Sequence, residues 1–98
     1  MEPLIFDADL WLWDGEAAWV FLTVPGDVGE EIRMLAGPPR GFGSVRVEVN
    51  VGATSWRTSV FPDKEHGFLL PVKKAVRRAE GIDVGDRVEV ALTVVDSA

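Results

Sequence analysis

Apolar and polar residues alternate with a period of two over several stretches of the chain, and each stretch predicts a strand with one inward row. Residues 5 to 13 place Phe6, Ala8, Leu10 and Leu12 on one face, and Asp7, Asp9, Trp11 and Trp13 on the other. Asp14-Gly15 follows, a dipeptide suited to a tight hairpin because both residues tolerate positive φ. A return strand over 17–24 alternates Ala18, Val20, Leu22 and Val24 with Trp19, Phe21 and Thr23. Apolar residues on both faces predict little exposure, or one face closed by a helix or another chain. SVRVEVNV at 44–51 is the clearest pattern, with four valines inward and Ser44, Arg46, Glu48 and Asn50 outward. Gly52-Ala53-Thr54 turns into a strand at 56–61, and the loop PDKEHG leads to a short apolar strand at 68–70. The last strand, 87–95, buries Val88, Val90, Leu92 and Val94.

Two segments change period. After Pro25-Gly26, Val28, Ile32 and Leu35 recur at helical spacing. Asp27 with Glu30 reads as a capping box, and Gly37-Pro38-Pro39 as the stop. The connector GPPRGFG at 37–43 then leads into the valine strand. A second helix is predicted over 72–80, introduced by Pro71 and ended by Gly81 in a left-handed conformation, with Ile82 making the following apolar contact. About six short strands and two short helices, joined by Gly-rich turns, predict a mainly β, closed or nearly closed barrel. Ninety-eight residues are expected to make a single domain spanning 1–98.

Composition narrows the chemistry. The chain has no cysteine, which removes disulfides and thiolate metal sites. Its acidic N-terminal residues do not resemble a signal peptide, and no apolar run reaches the ~20 residues of a membrane helix. A cytoplasmic location without membrane association is the expectation. A net charge of -6 disfavours nucleic acid as a partner, although a local basic patch lies at 73–78.

Three groups of residues carry candidate chemistry. On the predicted helix, Lys73, Lys74, Arg77 and Arg78 fall on one arc, opposite Val72, Ala75, Val76 and Ala79. That arc is either an anion-binding face or a solvated face balanced by nearby acids such as Glu80. In Trp56-Arg57-Thr58-Ser59, Arg57 and Ser59 share a strand face and suit a carboxylate or phosphate, while Trp56 points the other way. Alternatively Trp56 is core and Arg57 pairs with an acid on a neighbouring strand. Trp11, Trp13 and Trp19 form either an aromatic platform for a base or sugar, the centre of a dimer, or plain packing. Catalysis has little support. His66 is the only histidine and lies in a loop among Asp63, Lys64 and Glu65, and Ser59 has no evident base. No metal-ligand cluster or phosphate loop is defensible, so neither metal nor cofactor is expected.

WVFLTVP at 19–25, GFGSVRVEVNVG at 41–52, WRTSVFP at 56–62 and LLPVKKAVRRAEGIDVGDRVEV at 69–90 occur in an order that resembles a bacterial family, the domain-of-unknown-function family 1905. The resemblance implies a double-split β-barrel capped by helices, the broad fold of AbrB-type regulators and certain antitoxin DNA-binding domains. Those relatives build the barrel from two chains; this chain is long enough to supply both halves. No activity comes with the resemblance, and fold alone supplies none. The leading reading is a noncatalytic binding or interaction domain that contacts an anionic partner through the basic helix 72–80. The alternative is a small enzyme or ligand-binding barrel using Trp56, Arg57 and Ser59, and the third a DNA-binding regulator. A homodimer is compatible with the two-faced apolar strands, and a closed one-chain barrel removes the need for one.

Overall fold

The computed structural model describes residues 2–15, 18–38 and 43–95. Within them the chain runs β1 (Leu4–Leu12), β2 (Val20–Val24), α1 (Gly26–Ala36), β3 (Val45–Val51), β4 (Thr54–Asp63), β5 (Gly67–Pro71), α2 (Lys74–Glu80) and β6 (Arg87–Val94). The strands close into a six-stranded barrel in the order β1-β2-β5-β4-β3-β6, with every neighbouring pair antiparallel. This is the mainly β, helix-capped barrel that the alternation predicts.

Period-two patterning decides what fills it. The valine rows of β3 and β6 meet as Val49↔Leu92 and Val47↔Val94, and β1 meets β6 as Phe6↔Val90 and Leu4↔Leu92. Leu22, Val47, Val49, Val60, Leu70, Val90 and Leu92 are wholly buried, and no polar or charged residue among those described is buried. Burying one such side chain contributes roughly 1.5–3 kcal/mol, so the interior is the principal source of stability.

The helices close the two ends. Chain order brings α1, the C-terminal ends of β2, β4 and β6, and the N-terminal end of β5 to one end; α1 buries Val28, Ile32 and Ala36 there, with Gly29 close to the Phe68 ring. Its start differs from the predicted capping box. Pro25 holds the cap position, its carbonyl accepts from Gly29 N–H at 2.8 Å, and no side chain caps the helix; Asp27 lies inside the first turn.

The second helix is a further correction. It begins at Lys74 rather than Val72, because Val72 N–H still donates to Val20 carbonyl at 2.9 Å and so prolongs the β2–β5 ladder. Pro71 therefore ends a strand instead of opening a helix. Lys73 becomes the cap residue and only Val76 is buried on the helix, leaving Ala75 and Ala79 exposed. The predicted stop is present. Gly81 adopts φ +65°, Gly81 N–H donates to Arg78 carbonyl at 3.4 Å and Ile82 N–H to Arg77 carbonyl at 3.0 Å, with Ile82 packed on the core. Thr54 hydroxyl donates to Glu80 Oε2 at 2.6 Å, which ties the helix to the β3–β4 turn.

Two connections also differ from prediction. Trp13 N–H donates to Trp19 carbonyl at 2.8 Å, so the first hairpin is not closed by Asp14-Gly15 as a two-residue turn. Strand β4 runs on through Pro62 to Asp63, which shortens the predicted PDKEHG loop to a turn. Of the connector GPPRGFG, residues 39–42 lie outside the described residues, as do Glu16 and Ala17.

Leu70→Ala should cost about 2–5 kcal/mol by leaving a cavity in the barrel centre, whereas Leu12→Ala, at an exposed position, should stay within about 0.5 kcal/mol; urea midpoints of the two variants check this. Gly52→Ala tests the α2 tether. Gly52 sits at φ +58°, and an added Cβ would lie 1.9 Å from Glu80 Oε1. The variant should lose the Thr54–Glu80 bond and raise amide exchange selectively across residues 74–80.

Candidate functional site

Strand parity leaves one outer wall of the barrel unusually apolar. On β1 and β2, Trp11 stands opposite Phe21, and Trp13 and Trp19 meet at the hairpin end. On β5 and β4, Leu69 stands opposite both Thr23 and Phe61. These residues alternate with the buried Leu10, Leu22, Leu70 and Val60, so they face outward. Trp13, Trp19, Phe21, Phe61 and Leu69 line an open cleft of about 330 Å³. Trp19 is 54% exposed and Phe61 44%.

The rings hold one another in place. Trp19 stacks on Phe21 at 6.1 Å with 11° between planes, while Trp13 meets Phe21 edge-on at 5.6 Å. Trp11 lies behind them, 5.6 Å from Phe21 and 5.8 Å from Trp13. Its indole N–H donates to Thr23 hydroxyl at 3.0 Å, so its polar edge is satisfied within the wall. His66 stacks on Trp11 at 5.0 Å, and its Nδ1 lies 2.6 Å from Asp63 Oδ2. The same carboxylate oxygen accepts the Glu65 and His66 backbone N–H groups. These bonds favour the ionised carboxylate. The His66 side chain is the largest influence holding Asp63 below its ordinary value of 3.8.

Phe61 also borders a second, more polar groove of about 360 Å³, shared with Arg46, Val47, Arg57, Thr58, Ser59 and Val95. Arg46 stands directly opposite Ser59, and Arg57 opposite Glu48. The Arg57–Glu48 ion pair is loose at 3.6 Å with the Arg57 side chain 74% exposed. Arg46 has no side-chain hydrogen bond or ion pair among the described residues. Trp56, on the opposite face of β4, is buried against the valine core and points away from Arg57 and Ser59.

The basic segment lies at the α2 end. Lys73, Lys74 and Arg78 are exposed and Arg77 is half-buried. None of the four is in an ion pair among the described residues, and Glu80 is turned to Thr54 instead. Because Val72 N–H bonds the Val20 carbonyl, Lys73 follows directly on the end of the β2–β5 ladder. Asp7 and Asp9 lie elsewhere, on the β1–β6 wall, where Asp9 pairs with Arg87 at 3.2 Å. The described residues contain no group of three or more metal-ligand side chains, and no helix among them is long and apolar enough to cross a membrane.

Of the wall residues, parity had singled out the three tryptophans. Phe61 and Leu69 escaped notice although the signal was there: with Trp56 and Val60 inward, Phe61 must share the face of Arg57 and Ser59. His66 lies in the β4–β5 turn as the sequence implies, but its stacking on Trp11 is not legible there because the two are distant in sequence.

A closed, single-chain barrel of the double-split kind, plugged at each end by a short helix and bearing one aromatic wall, is the class that fold and surface define. The chain matches the family described as Domain of unknown function (DUF1905) over residues 6–92, and it belongs to that family. Comparison with the curated proteins finds no match.

The Asp63–His66 contact sets a measurable expectation. Carbon-detected NMR should place the Asp63 midpoint below 3.8, and His66→Ala should move it back up. Because the folded value is depressed, the carboxylate's stabilising contribution is complete above the unfolded value and is lost as pH falls through the folded one. The stability difference between wild type and Asp63→Asn should therefore shrink only at acid pH below the ordinary aspartate range.

Proposed function

We propose that this protein is a binding domain whose contact surface is the aromatic outer wall of β1, β2, β5 and β4. The observation that carries the reading is the exposure of Trp13, Trp19 and Phe61 around one apolar cleft. An isolated exposed aromatic needs no explanation, but a contiguous group of them marks a surface that another molecule covers. Aromatic and arginine side chains are also the residues that anchor interfaces. Preorganisation adds to this: the stacked Trp19 and Phe21 rings lose little freedom when a ligand settles on them.

A second reading keeps the segment Lys73–Arg78 as a contact for an anionic partner. Its support is the lack of ion-pair partners for all four cations among the described residues. Duplex DNA is the least favoured occupant, given the net charge of -6. Binding to the basic segment should weaken steeply with salt and fail on charge reversal at Lys73, Lys74, Arg77 and Arg78.

Nitrogen-15 NMR with an indole and phenyl fragment series separates the two surfaces. The aromatic-wall reading expects the Trp13 and Trp19 indole resonances to shift in a saturable, salt-insensitive way. Trp19→Ala and Phe61→Ala should each weaken binding by about 1–2 kcal/mol while the fold persists. Indole resonances that stay unmoved at saturating fragment would dismiss the wall as a contact surface.

A further inference from the structure

The aromatic cleft does not end at Phe61. Its ring is shared between the apolar cleft on one side and the groove of Arg46, Arg57 and Ser59 on the other, so a ligand lying across Phe61 meets both. Building on the reading of the wall as a contact surface, we propose that this composite site captures a short acidic and apolar segment of a protein partner. An aromatic or branched aliphatic side chain of the segment fills the cleft of Trp13, Trp19, Phe21, Phe61 and Leu69. A carboxylate two residues away, on the same face of the extended segment, is held by Arg46 and Arg57, with Ser59 hydroxyl as an additional donor.

Three observations choose this occupant. First, the cations beside the cleft are unspent: Arg46 has no acid partner among the described residues, and Arg57 keeps most of its donors free beside a loose 3.6 Å contact. A guanidinium presents a planar fork that fits a carboxylate with two parallel bonds. Second, the alternation of β4 places Arg57, Ser59 and Phe61 in one outward row, and Arg46 stands across from Ser59. An extended segment running along that row meets the arginines at one end and the apolar cleft at the other. Third, apart from the indole N–H groups of Trp13 and Trp19, the described lining of the cleft is apolar. A nucleobase or sugar would find few groups to read its edges, whereas an apolar side chain needs none. The net charge of -6 further disfavours a polyanion such as nucleic acid, while leaving a single carboxylate at a local arginine pair favourable.

The test uses the full chain and fluorescence anisotropy with four synthetic probes. The first is a short peptide with Asp or Glu two positions from Phe or Leu, so that both fall on one face when it is extended. The second carries Lys in place of the acids, the third Ser in place of the apolar residues, and the fourth is oligothymidylate. The first peptide should bind at least about tenfold more tightly than the others, a difference of about 1.4 kcal/mol. NMR should place its shifts on Arg46, Arg57, Ser59 and the Trp13 and Trp19 indoles together. Arg46→Gln combined with Arg57→Gln should remove that preference while leaving fragment binding in the cleft intact, which shows that the variant still folds.

Equal binding of acidic and basic peptides through the same indoles would overturn the acidic partner and leave the contact wall standing. Shifts confined to 73–78, or tighter binding of oligothymidylate, would also overturn the proposal. So would self-association of the chain that Trp19→Ala abolishes, because a second copy would then be the occupant. Failure of all four probes to move the indoles, with fragments failing as well, would remove both the proposal and the wall reading on which it rests.

Discussion

Pairing of the last strand with the first is the constraint on which the molecule depends. Six consecutive residue pairs, from Leu4↔Leu92 to Asp9↔Arg87, join β6 to β1 and turn an open sheet into a barrel. Closure removes the exposed strand edges that an open sheet would leave. It also fixes parity all the way round, because a slip of one residue would turn each inward row to solvent. The turn before β6 is held to β1 as well: Gly85 N–H donates to Leu10 carbonyl at 2.8 Å and Leu10 N–H to Asp86 carbonyl at 2.9 Å. With register locked at that seam, no described polar or charged residue is buried inside, and the outside is free to differ from wall to wall.

The walls do differ. Where β1 meets β6 the outward pairs include Asp7↔Glu89, two like charges opposite one another, and the Asp9↔Arg87 ion pair. Across the barrel the outward residues of β2, β5 and the end of β4 are Phe21, Leu69 and Phe61. Short strands on that side follow from the chain path, since β2 runs straight into α1 through Pro25 and β5 ends at Pro71 before α2. Each helix plugs an end and leaves the wall between them uncovered. The aromatic surface is thus a by-product of where the helices are spent.

Sequence reading reached the fold more readily than the site because a strand's parity is a local property. The valine row of β3 and the rows of β1 and β6 announce their faces without reference to any partner. The helix stop at Gly81-Ile82 is equally local, and it stands as predicted. The start of α2 was not local. Pro71 favours a helical first turn, but the Val72–Val20 hydrogen bond, between residues far apart in sequence, holds the chain extended for two further residues. In the same way Thr54, from the β3–β4 turn, claims Glu80, which local spacing offers to the basic face of the helix.

Composition and alternation by themselves determined a mainly β barrel with two helical segments and an interior of valine and leucine, and left open whether the three tryptophans on its first two strands form a surface or pack inside. These follow from period and propensity, which act between residues a few positions apart. Only the tertiary structure decided that Phe61 and Leu69 complete the tryptophan wall, that His66 stacks on Trp11, and that Arg46 and Arg57 border the same surface. Those neighbours come from strand order, β1-β2-β5-β4-β3, in which β5 inserts between β2 and β4. Strand order is set by how the whole chain closes its barrel, and no single stretch of sequence carries it.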